Sequence, residues 1–88
     1  MTINIKDLKN KIIYRANYRG TKEMDKLLGA FTKKYINKLR DLELQLLCDL
    51  LDFDDENLYK FNQGQETTIT IELNKVTKLF KNYEYSNE

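Results

Sequence analysis

The sequence predicts an all-α fold, a compact five-helix bundle in one domain. Three observations carry that expectation. Apolar residues recur at three- and four-residue intervals through most of the 88 residues. Residues that start or stop helices stand at the breaks between those runs, and the one segment with strand character has no second strand to pair with. The domain is expected to cover residues 1–88, with an ordered core over about 7–83 and frayed termini.

Ile5, Leu8, Ile12 and Ile13 place a first helix from about Asp7 to Ala16 or Asn17. Gly20 follows it, where a glycine supplies left-handed backbone at no steric cost. The second helix has the clearest stripe: Met24, Leu27, Leu28, Phe31, Tyr35 and Leu39 share a face, with Lys22, Lys26, Lys33 and Lys34 largely off it. Thr21 suits its N-cap. Gly29 inside that helix costs about 1 kcal/mol relative to Ala, which predicts close packing of another backbone there. Asp41 is placed to cap a third helix carrying Leu42, Leu46, Leu47, Leu50 and Leu51, expected to be the most buried element.

Asp54 or Asp55 can cap a short fourth helix containing Leu58, Tyr59 and Phe61, closed by Gln63-Gly64-Gln65. The stretch from Thr67 to Leu73 alternates and is rich in β-branched residues, so alone it reads as a strand. Leu73, Val76, Leu79, Phe80 and Tyr83 then continue at helical spacing. The expectation is a loop through about Thr68, a fifth helix to about Asn82, and a frayed tail from Tyr85.

Composition removes several function classes. A domain this small buries roughly 60% of the surface its unfolded chain exposes, so function belongs on the surface. Fifteen basic and fourteen acidic residues, interspersed, leave a net charge of +1. No basic stripe suited to nucleic acid exists, and Lys33, Lys34 and Lys38 read as a solvated cluster. With no histidine and a single Cys48 among leucines, a disulfide framework, a zinc site and an imidazole base are all disfavoured. Cys48 reads as a small core hydrophobe. Only Gly20, Gly29 and Gly64 are glycines, so no phosphate-cradling loop is present and stable binding of flavin by this chain is not expected. No apolar run approaches bilayer length, and the N-terminus lacks a signal core; a cytoplasmic, bacterial setting away from membranes is expected.

The segment Tyr18-Arg19-Gly20-Thr21-Lys22-Glu23-Met24-Asp25 is the most specialised in the chain, setting a cation, a glycine and two carboxylates where one helix gives way to the next. The structural reading makes Arg19 and Glu23 a weak surface pair four residues apart, in the less favourable order. The functional reading makes the turn a docking surface: Gly20 admits a partner's backbone, Arg19 offers a fork of donors, and Glu23 accepts. Asp52, Asp54, Asp55 and Glu56 lack the glycine and bidentate glutamate that a calcium loop needs in register, so helix capping is their simpler role.

The Arg-Gly-x-x-Glu core with Asp25 close behind, early in a short helical chain with Leu50-Leu51-Asp52-x-Asp54-Asp55 downstream, resembles the SdhE flavinylation factors. These are also called succinate dehydrogenase assembly factor 2, and the resemblance runs from about Lys11 to Phe80. It implies a monomeric assembly factor, or chaperone, with no catalytic centre. Such a factor binds the flavoprotein subunit of succinate dehydrogenase, with fumarate reductase as a further candidate client, and promotes covalent attachment of FAD that belongs to the partner. The resemblance implies partner contacts at Arg19, Gly20, Glu23 and Asp25, and secondary ones at Tyr18, Asp54, Asp55 and Phe61. The chain departs from the family in carrying Phe61 where Trp is common and Thr21 where Met is frequent. The alternatives from residues alone are a generic helical adaptor for an unrelated protein and a small nucleic-acid regulator, the latter disfavoured by charge.

Overall fold

The computed structural model describes residues 4–84, which form one domain of five helices with no strand among them. Helix α1 spans Ile5–Asn17, α2 Lys22–Tyr35, α3 Asp41–Leu50, α4 Asp55–Asn62 and α5 Lys75–Lys81. The all-α expectation holds. The predicted fraying from Tyr85 falls outside the described residues.

Each boundary has a local cause. Asn4 caps α1 by accepting from the Asp7 N–H, and Thr21 caps α2 by accepting from the Met24 N–H. Helix α3 starts one residue earlier than its sequence suggests. Arg40 is the N-cap and Asp41 the first helical residue, because the Glu43 carboxylate reaches back to accept from the Arg40 N–H at 2.8 Å. Asp54 caps α4 through the Asn57 N–H, and Asp55 is thereby released for another partner. At the other end of α4 the Gly64 N–H bonds to the Phe61 carbonyl and the Gln65 N–H to the Lys60 carbonyl. Gly64 supplies the positive φ of 74° this closure requires.

The fifth helix is shorter than its periodicity predicts. Residues 65–74 are irregular and α5 begins only at Lys75. Asn74 and Thr77 exchange side-chain and backbone bonds at 2.7 and 2.9 Å, fixing the start there. The β-branched stretch before it stays outside the helix and is tethered instead: the Thr68 N–H donates to Asn57 Oδ1 at 2.8 Å, and Ile71 buries its side chain in the core.

The core is assembled chiefly by α1 on α2 and α3, and by α5 on α3 and α4. Ile12, Leu28, Phe31, Leu44, Leu47, Leu58 and Phe80 are fully or almost fully enclosed. Phe31 meets Phe80 and Tyr83 edge-on at 5.1 and 5.3 Å, joining α2 to the C-terminal part of the bundle. Asn62 donates to the Phe80 and Tyr83 carbonyls at 2.7 and 2.9 Å, so the end of α5 is closed by a buried amide. Two expectations for the core change. Leu42 is 83% exposed, because the inward stripe of α3 is Leu44, Leu47, Cys48 and Leu51 and Leu42 lies across the helix from it. Gly29 accommodates no backbone: a Cβ there would stand 2.5 Å from Asn17 Oδ1, a side chain at the end of α1.

Candidate functional site

The turn from Tyr18 to Thr21 joins α1 to α2 at the surface of the bundle, and the segment 51–55 joins α3 to α4 beside it. Tyr18 ends α1 with φ −129° and ψ 68°. Gly20 then takes φ +103°, a conformation L side chains rarely adopt, and among the described residues no atom beyond its two chain neighbours lies within 4 Å of where its Cβ would be. Backbone conformation therefore requires glycine here, and the space beside it is open to another molecule.

Arg19 points inward. Its side chain is 11% exposed, with Nε donating to Asp55 Oδ1 at 2.8 Å, Nη1 to the Leu51 carbonyl at 2.7 Å and Nη2 to the Phe53 carbonyl at 2.7 Å. The planar fork thus closes the α3–α4 loop, satisfying two carbonyls that have no helical donor. Arg15, one turn earlier, grips the same loop. It pairs with Asp52 and donates to the Leu51 carbonyl at 3.4 Å. The Asp52 carboxylate, by hydrogen bond and charge, raises the Arg15 guanidinium above its ordinary pKa.

Asp25, in the first turn of α2, accepts from the Arg19 N–H and so fixes the backbone entering Gly20. Glu23, also in that first turn, is exposed. The pair between Arg19 and Glu23 that sequence spacing allows is replaced by the pair between Arg19 and Asp55. The reason is that Arg19 lies in the turn before α2 rather than within a helix shared with Glu23.

The remaining predicted positions separate. Tyr18 is 70% exposed and its ring lies 4.7 Å from that of Tyr14, giving α1 an aromatic pair on the outside next to the turn. Asp54 is exposed but engaged as a cap. The side-chain amide of Asn57 and then its backbone N–H hold the carboxyl below its ordinary value. Phe61 belongs to the core, stacked with Phe80 at 6.5 Å. Beyond Glu23 an open groove continues between α2, α4 and the end of α5, lined by Lys26, Tyr59, Gln63 and Lys81 among others.

Sequence reasoning did not foresee that Asp55 and the Leu51 and Phe53 carbonyls would receive Arg19. Backbone acceptors have no side-chain signature. The spacing of Arg15 and Arg19 is no guide either, because Arg19 lies past the end of α1. No group of three or more ligating side chains that could hold a metal occurs among the described residues, and no helix among them is long and apolar enough to cross a membrane. The arrangement offers a rigid turn with an open glycine, an exposed carboxylate and an exposed aromatic pair, which suits recognition of a protein surface.

Comparison with known proteins points the same way. The family model Sdh5, described as flavinator of succinate dehydrogenase, matches residues 10–84. Among curated proteins, "Succinate dehydrogenase assembly factor 2, mitochondrial" of Scheffersomyces stipitis is 41% identical over 49 residues, covering 56% of this chain and 33% of that protein. The protein of the same name from Meyerozyma guilliermondii is 37% identical over 51 residues, covering 58% of this chain and 38% of that protein. The matched stretch thus spans little more than a third of the length of these curated relatives. No solved structure matches the chain significantly.

Proposed function

This chain belongs to the Sdh5 family, flavinators of succinate dehydrogenase, and from that premise we propose that it binds the flavoprotein subunit of the enzyme and promotes covalent attachment of FAD to it. The observation that carries the reading is the α1–α2 turn, which combines the Arg19-Gly20-x-x-Glu23 pattern with an open glycine at positive φ and an exposed carboxylate in front of a fixed framework. The docking face comprises Gly20 and Glu23, set in place by Arg19 and Asp25, with Tyr18 beside them and the loop carrying Asp54 and Asp55 behind. Phe61 contributes from beneath, as packing under α4.

The role is that of an assembly factor and not of an enzyme, with FAD belonging to the partner. Docking favours the arrangement of the flavoprotein in which its own nucleophilic side chain is aligned with the flavin. Alignment alone can supply about 7–11 kcal/mol of a barrier in the best cases, so the helper need donate no acid or base. The open groove beyond Glu23 gives the partner room to extend the contact along α2 and α4.

The test is in-gel fluorescence of flavin covalently bound to the flavoprotein subunit of succinate dehydrogenase, produced with and without this protein. Strong fluorescence only in its presence is expected. Equal fluorescence in both preparations overturns the assignment, and the same assay on the fumarate reductase flavoprotein decides whether that subunit is also a client.

A further inference from the structure

Resting on the docking reading above, we propose that Arg19 is a positioning residue of the docking face, acting through the Leu51–Asp55 loop, and makes no contact with the flavoprotein itself. Its side chain is 11% exposed, and Nε, Nη1 and Nη2 each donate to an acceptor of that loop. Leu51, whose carbonyl receives both Arg19 and Arg15, is itself buried. For the guanidinium to reach a partner, all three bonds would have to break and the Leu51 and Phe53 carbonyls would lose their Arg19 donors. The opposite side of the turn, at Gly20, is open.

The two arginines make residues 18–25 and 51–55 one body. Arg15 holds the loop at Leu51 and Asp52, Arg19 holds it at Leu51, Phe53 and Asp55, and Asp25 fixes the Arg19 backbone from the α2 side. A turn already ordered in the free protein loses less conformational entropy when it docks, which raises affinity without any new contact. Asp55, 36 residues further along the chain, then matters to docking through one of the three bonds that Arg19 donates.

Calorimetric titration of the succinate dehydrogenase flavoprotein subunit with the full chain separates positioning from contact. Arg19→Ala is expected to weaken binding about tenfold and Asp55→Ala about threefold, since it removes one of the three acceptors, and the double variant Arg19→Ala/Asp55→Ala no more than Arg19→Ala alone, because both act on the same latch. Amide hydrogen exchange at Gly20–Glu23 should quicken about tenfold in Arg19→Ala and about threefold in Asp55→Ala, while the α3 core amides of Leu47 and Leu50 keep their protection. Wild-type affinity in Asp55→Ala beside a large loss in Arg19→Ala, or losses that add in the double variant, would show direct contact and overturn the proposal, as would unchanged exchange at the turn in Arg19→Ala. Should Arg19→Ala fail to fold, Arg19→Lys takes its place in the same comparison. If the unaltered protein does not bind the flavoprotein at all, the docking reading falls, and with it the functional half of this proposal; the exchange comparison still decides whether the latch exists.

Discussion

Arg15 and Arg19 donate to the same acceptor, the carbonyl oxygen of Leu51, at 3.4 and 2.7 Å. One residue is in the last turn of α1 and the other just past its end, so a single helix terminus holds a loop more than thirty residues away in sequence. That relationship turns a short interhelical connection into a fixed surface, and it orders the consequences below.

Gly20 is set by its backbone and not by crowding. Gly20→Ala is expected to cost about 1–2 kcal/mol, the penalty of placing an L side chain in a left-handed conformation. Chemical denaturation should show a lower midpoint at unchanged slope, with native helical circular dichroism before the transition. A variant as stable as the parent would show that the turn adopts another φ in solution.

Glu23 separates stability from binding. It is exposed, and no hydrogen bond or ion pair of its side chain occurs among the described residues, so Glu23→Ala should change stability by about 0.5 kcal/mol or less. Binding of the flavoprotein should weaken by about 1–2 kcal/mol, read as a slower gain of covalent flavin at limiting helper concentration. Full flavinylation by this variant would remove Glu23 from the docking face.

Thr32 carries the buried side-chain oxygen that has no hydrogen-bond partner among the described residues, on the inner face of α2. Thr32→Val replaces that hydroxyl with a methyl of nearly the same size and relieves a desolvated polar group. A gain of about 1 kcal/mol in unfolding free energy is expected, with flavinylation unaffected.

Acid should loosen the helix starts before the core. The Asp54 carboxyl lies below its ordinary 3.8 because Asn57 donates to it, and that of Glu43 below its ordinary 4.5 because the Arg40 N–H and then Lys75 do so. Groups whose folded pKa is depressed bind more protons in the unfolded chain, so their stabilisation is complete above the unfolded values and is lost as pH falls through the folded ones. Denaturation midpoints should be flat above about pH 5 and decline below about pH 4. In Asp54→Asn the decline should be shallower, while its midpoint at neutral pH should lie lower than that of the parent.

Much of the fold was legible because local rules agreed with one another. Thr21, Asp54 and Gly64 perform the capping and closing roles their types suggest, and the stripe on α2 buries Met24, Leu27, Leu28 and Phe31 as its spacing requires. Where two local signals competed, the outcome depended on distant partners. The start of α5 moved to Lys75 because Asn57 on α4 holds Thr68 and because Asn74 and Thr77 bond to each other. Leu42 counted as core by type but lies on the face of α3 that no other helix covers.

The sequence by itself determined that this is a helical domain with no histidine, one cysteine and three glycines, and it singled out the turn at Arg19-Gly20-x-x-Glu23. Periodicity, caps and residue chemistry are properties of neighbouring residues, so they survive without coordinates. Only the tertiary structure decided which groups of its own chain Arg19 meets. A guanidinium can donate to a partner or to its own chain with equal ease, and the choice depended on whether two orphaned carbonyls and the Asp55 carboxylate, left free once Asp54 had taken the cap, converged within hydrogen-bond reach.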